Sequence, residues 1–185
     1  MEQNLQSVLA LIDEAFIGVQ RDEDCTLHHA QLLDCTMDWE ISEGEWNDAK
    51  RRDPETDWRA VPASSIDECD AALSHATSQS WLFYMPAYMK RALELLDADL
   101  LMTWLPGSVI FHLTYDNKDP GLGWRSIERF RQLTTQQNDA VVAFLNYIVA
   151  YPVKRTSYAR EAAEALNRYW ALPMNERPCG IEIVR

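Results

Sequence analysis

The segment from Trp81 to Leu96, Trp-Leu-Phe-Tyr-Met-Pro-Ala-Tyr-Met-Lys-Arg-Ala-Leu-Glu-Leu-Leu, limits the possible folds more than any other part of the chain. It is too long for a typical strand, and Leu93 and Leu96 continue a helical period. A helix this apolar has to be covered on most of its surface, which makes it the central buried element. Pro86 has no backbone donor, so it is expected in the first turn of that helix or at a kink. The chain has only six glycines, which argues against a sandwich or barrel with many tight turns.

Further helices are predicted around this one. Leu5, Val8, Ile12, Phe16 and Val19 recur at three- and four-residue spacing, so the chain opens with an amphipathic helix ending near Gly18. Thr26 caps a second helix running to about Cys35. A third is expected over residues 43–52 and is closed by Pro54. Ser65 with Glu68 and Thr134 with Gln137 have capping-box spacing and open two more. A short helix is expected from Ser126 to Gln132, and Tyr158, Ala162, Ala165 and Tyr169 lie in register on a last one.

Val109-Ile-Phe-His-Leu-Thr-Tyr115 is β-branched and aromatic and is predicted as a strand, paired with an edge strand over 181–184. Asp119-Pro-Gly-Leu-Gly123 is expected to be a loop. The predicted fold is therefore mainly α. It is a single-domain helical bundle over residues 1–185, with about six to eight helices and one short strand pair.

The box Phe83-Tyr-Met-Pro-Ala-Tyr-Met89 with Arg91-Ala-Leu93 resembles a bacterial family of uncharacterised proteins known only as a domain of unknown function. Asp57-Trp-Arg-Ala-Val-Pro62, Ile66 and Leu73 upstream fit the same pattern, as do Phe130-Arg-Gln-Leu-Thr-Thr-Gln-Gln137, Phe144-Leu145 and Tyr169-Trp170 downstream. The resemblance runs from about Ala15 to Trp170 and departs at Ser78-Gln-Ser-Trp81, where the family is more aliphatic. It implies a helical fold and supplies no activity, cofactor or catalytic residue.

The net charge of −12 is unevenly placed. Residues 1–75 hold 18 Asp/Glu against 5 Lys/Arg, while residues 76–185 hold 11 against 12. Such a field repels nucleic acid and anionic membrane and speeds encounter with a basic partner. The opening residues lack a basic n-region and no apolar run reaches ~20 residues, so a cytoplasmic protein without a secretory signal or membrane span is expected. Cys25, Cys35, Cys69 and Cys179 have no CxxC spacing and are expected as free thiols.

No GxSxG elbow, Walker A loop, GxGxxG or HExxH occurs. His28 and His29 are adjacent, so on a helix their side chains diverge by about 100°. Cys25 with His29, or His28 with Cys35, offers two ligands where zinc takes three or four from the protein. Neither a metal nor another cofactor is predicted.

The expected function is that of a non-catalytic acidic domain binding a basic protein, most concretely an immunity protein that neutralises a toxin. Asp38, Trp39, Glu40, Glu43, Glu45, Trp46 and Asp48 are its candidate contacts, since aromatic anchors set affinity and charge sets on-rate. The alternative is a small-molecule enzyme or ligand-binding domain, with a pocket beside Tyr84 and Tyr88 that draws on His75, His112 and Arg129. A closed core at the two tyrosines, with the Trp39–Trp46 segment exposed, favours the first reading.

Overall fold

The computed structural model describes residues 4–36, 40–98, 103–151 and 156–179. These carry nine α-helices and no strand among the described residues. The chain divides into two compact units, an inserted unit of residues 16–108 and a terminal unit of residues 1–15 and 109–185.

In the terminal unit, α1 (Leu5–Ala15) buries Val8 and Ile12 and packs on α8 (Thr135–Ala150). The Thr134–Gln137 capping box is present as the spacing predicts, and it opens α8. Val141, Phe144, Leu145 and Ile148 of α8 are buried, and α9 (Thr156–Ala165) packs against the same helix. The end of α9 widens into a π turn over Leu166–Trp170, in which Ala171 N–H donates to the Leu166 carbonyl at 2.8 Å. Arg177 braces this turn. Its guanidinium stacks 5.1 Å from the Tyr169 ring and donates to Trp170 O at 3.0 Å and Asn138 Oδ1 at 2.8 Å.

The inserted unit is built around α5 (Ser78–Asp97), the helix expected from residues 81–96. Thr77 caps it three residues earlier by accepting from Ser80 N–H. Pro86 lies inside the helix rather than in its first turn. Trp81, Phe83, Met85, Tyr88, Met89 and Leu93 are fully covered, so burial on most of the surface outweighs the hydrogen bond that proline forfeits. Around it lie α2 (Leu27–Cys35), α3 (Glu43–Arg51) and α4 (Ala63–Glu68). Gly18, with φ of +77°, occupies the left-handed region that a side chain resists, and its turn follows the end of α1.

Three local readings are corrected. The strand over 109–115 does not form: residues 109–112 are the second half of α6 (Leu105–His112), whose second residue is Pro106, and residues 113–115 follow it as a turn. Proline suits a first helical turn, and Val109, Ile110 and Leu113 are buried while Phe111 is exposed, a helical rather than alternating pattern. Its expected partner, 181–184, lies outside the described residues. The loop at 119–123 is the start of α7 (Pro120–Phe130), because Asp119 accepts from Gly121 N–H at 2.8 Å and Leu122 N–H at 3.1 Å. Ser65 opens no helix: α4 begins after Pro62, and Glu68 is drawn away to Arg52, at 2.7 Å.

Gly123 gives a direct test of the α7 junction. A Cβ there would lie 2.4 Å from the backbone oxygen of Asp116. In an exposed helix Gly→Ala stabilises by roughly 1 kcal/mol. Here Gly123→Ala is expected to destabilise by about 1–3 kcal/mol, because backbone has to move. Urea unfolding of that variant checks it, and a gain in stability would contradict the close approach.

Candidate functional site

The exposed acidic segment forms α3, and its start is set locally. Ser42 Oγ accepts from Glu45 N–H at 3.3 Å, and the Glu45 carboxylate accepts from Ser42 N–H at 2.9 Å and Ser42 Oγ–H at 2.6 Å. These bonds hold the Glu45 carboxyl below its usual range. Glu43 and Glu45 lie in the first turn, and Lys50 and Arg51 in the last, each sign at the favourable end of the helix dipole. Glu40, Glu43, Glu45 and Asp48 are exposed, and Asp48 pairs with Arg51 one turn on. Asp38 and Trp39 lie outside the described residues.

The inner side of α3 is fastened to α2. The Trp46 ring stacks on His29 with centroids 4.0 Å apart and planes 8° from parallel. His29 Nδ1 accepts from Thr26 N–H at 3.1 Å, which places the ring proton on Nε2 and directs it to the Trp46 carbonyl at 2.7 Å. Burial lowers the His29 pKa and keeps the ring neutral. Half-buried Trp46 thus spends one ring face on this stack rather than presenting it outward.

A second tie runs from α2 to the residues after α3. Buried Asp53 accepts from His28 N–H at 2.8 Å and from His28 Nδ1–H at 2.6 Å, and its own carbonyl accepts from Arg21 Nη1 at 2.5 Å. Burial pushes the Asp53 carboxyl up, but hydrogen bonding from His28 and the Thr26 side chain outweighs it and leaves the group below the usual carboxylate range. His28 Nε2 is buried without a hydrogen-bond partner and lies 4.0 Å from Oε2 of Glu68. An aspartate that orients a histidine is part of a hydrolytic triad, yet no hydroxyl or thiol among the described residues hydrogen-bonds this nitrogen. The arrangement works as a buried brace. Nothing in the sequence distinguished Asp53 from its charged neighbours, because its partner is 25 residues away.

The five residues of the alternative reading divide between the two units, Tyr84, Tyr88 and His75 in the inserted one and His112 and Arg129 in the terminal one. Tyr84 and Tyr88 are core side chains of α5. Tyr84 Oη accepts from Leu27 N–H at 3.0 Å, and Tyr88 Oη–H donates to the Cys69 carbonyl. Burial raises both phenols, so they stay protonated and serve as structural bonds. His75 is on the surface with Nε2 3.2 Å from Asp34. His112 and Arg129 are buried in the terminal unit. Burial, then the charges of Arg129 and Arg125, bring the His112 pKa down to about 3. Cys25 and Cys69 are buried free thiols, and burial pushes Cys69 up to about 12. Among the described residues no three His, Cys, Asp or Glu side chains group to hold a metal ion, and no helix is long and apolar enough to cross a membrane.

The charge asymmetry follows the two units. The inserted unit has 18 Asp/Glu against 7 Lys/Arg, and the terminal unit 11 against 10. No curated protein and no solved structure matches the chain. A family model described as a family of unknown function, DUF6714, matches residues 4–173, and the chain belongs to that family.

Proposed function

We propose that the chain is a non-catalytic binding domain whose inserted unit takes a basic protein partner through α3 and the acids around it. The observation that carries this reading is that nearly all of the net charge belongs to one unit, where Glu43, Glu45 and Asp48 line an exposed helix braced from beneath. A rigid acidic face loses little entropy on binding and attracts a cationic partner over about a Debye length. The two core tyrosines, closed and hydrogen-bonded, also support binding at the surface over a pocket between them. In its most concrete form the partner is a toxin and this chain is its bacterial, cytoplasmic immunity protein.

The test is a pulldown of the tagged chain from its native host at low salt, followed by titration of the captured protein. Glu43→Lys with Asp48→Lys is expected to weaken that complex on the order of tenfold, mainly through a slower on-rate, with the far-ultraviolet spectrum unchanged. Glu45 is left alone because its carboxylate caps α3. A partner whose affinity ignores both the double reversal and added salt would sink the proposal, as would a chain that captures nothing.

A further inference from the structure

Among the described residues, three helices open with a capping box: Thr26 with His29, Ser42 with Glu45, and Thr134 with Gln137. Two of them use the Glu or Gln that such a box ordinarily takes. In the third an imidazole does the same work, since His29 Nδ1 accepts from Thr26 N–H at 3.1 Å. A proton removes that acceptor. In imidazolium both ring nitrogens are donors, so Nδ1–H would point at Thr26 N–H. Thr26 and His29 are both fully buried, which leaves the two donors facing each other inside the unit.

The other end of the same ring seats α3. Trp46 lies flat on it, and His29 Nε2–H donates to the Trp46 carbonyl at 2.7 Å. Of the nine residues of α3, Ala49 alone is buried, so apolar packing holds this helix weakly and the histidine contact carries much of its attachment. An imidazolium would still be attracted to the indole face, but that attraction does not restore the lost cap.

The charged groups around the ring come from every side. Lys50 lies on α3, Asp53 follows it, and Arg21 precedes α2. His28, its neighbour on α2, is turned to Asp53, and Tyr84 of α5 bonds the Leu27 backbone as a protonated phenol. The 3-10 turn Ala72–Ser74, which also packs on α2, has no titratable side chain. Burial first, then Lys50 and Arg21, oppose a charge on His29, while the bond to the Trp46 carbonyl and the charge of Asp53 favour one. The balance leaves the folded pKa below the usual 6.5. The neutral ring therefore stabilises the contact fully above that value, and the contribution is lost as pH falls through the lower folded one.

We propose that the contact between α2 and α3 is an acid-sensitive latch. A proton taken from solvent by His29 Nδ1 breaks the Thr26 cap, the ring leaves its seat, and α3 separates from α2. Its effect on a partner rests on the binding role proposed for α3, while the latch itself does not.

Amide hydrogen exchange of the full chain, read by mass spectrometry at about pH 7.5 and pH 5 and corrected for the intrinsic exchange rate, tests it without any partner. Protection over residues 43–51 is expected to fall roughly tenfold at the lower pH, while α8 keeps its protection. His29→Gln supplies a cap acceptor that does not titrate, as Gln137 does at α8, and should hold residues 43–51 equally protected at both. Equal protection of 43–51 at both pH values in the unmodified chain overturns the proposal. An undiminished loss in a folded His29→Gln chain overturns it as well. If that variant does not fold, nuclear magnetic resonance of the unmodified chain decides. The His29 ring and the Trp46 indole, the latter assigned through Trp46→Phe, should titrate with one midpoint below pH 6.5. A ring still neutral at about pH 5, or one that titrates without moving Trp46, overturns the latch.

Discussion

Asp53→Ala is expected to cost about 2–6 kcal/mol of unfolding free energy, about 1–3 kcal/mol for each of two buried donors left without an acceptor. The carboxylate is 2% exposed and accepts from two donors of the same residue, His28 N–H and His28 Nδ1–H. Alanine leaves both donors buried without an acceptor, and desolvated unpaired donors are the expensive outcome. Asp53→Asn is the informative control. It keeps the shape and one acceptor oxygen but loses the charge, so it should recover part of the loss.

The same carboxylate sets part of the pH response. Its folded pKa lies below the ordinary value, so the stabilisation is fully present above the unfolded carboxylate range, near pH ~3.9. It disappears as pH falls through the lower folded value. Urea unfolding between pH 6 and pH 3 should show stability falling toward the acid end, with a shallower fall in Asp53→Asn. Identical slopes for the two chains would mean that folding leaves the Asp53 pKa where it is in the unfolded chain.

Trp170→Ala carries the second large effect, about 3–5 kcal/mol. The indole is buried beside Phe130, with ring centres 4.6 Å apart, and its Nε1–H donates to the Leu113 carbonyl at 2.6 Å. Its own carbonyl accepts from Arg177, so the residue closes the π turn onto the segment after α6. Trp170→Phe separates the two contributions. It retains most of the apolar volume and loses the donor, for an expected cost of about 1–3 kcal/mol. If the two variants unfold at the same urea concentration, the aromatic packing contributes nothing beyond the hydrogen bond.

Local chemistry made several elements legible. Thr134 with Gln137 stands three apart and closes its bonds within one turn of the helix it opens, and the structure adds a second such pair, Ser42 with Glu45, that the sequence reading passes over. The same spacing misled at Ser65 and Glu68, where one Arg52 nitrogen donates to both carboxylate oxygens at 2.7 Å, charged bonds that a capping bond does not match. Residues 109–115 misled for a related reason. β-Branched and aromatic residues favour strands on average, but burial on a helical period decided the outcome at Val109, Ile110 and Leu113. Asp119-Pro-Gly has turn composition and still begins a helix, since Asp and Pro are also the residues a helix start prefers.

The sequence by itself determined that the chain is helical, that residues 81–96 are its most buried helix, and where its charge excess lies. Apolar period, capping and charge counts depend on residues within a turn or two of one another, so they can be read along a line. Tertiary structure alone decided that Asp53 takes His28 and that Trp46 lies flat on His29. Those pairings join residues 25 and 17 positions apart, and they form because buried donors, acceptors and apolar surface are satisfied together when the core closes. A one-dimensional pattern carries each residue's needs, while the packed chain determines which neighbour meets them.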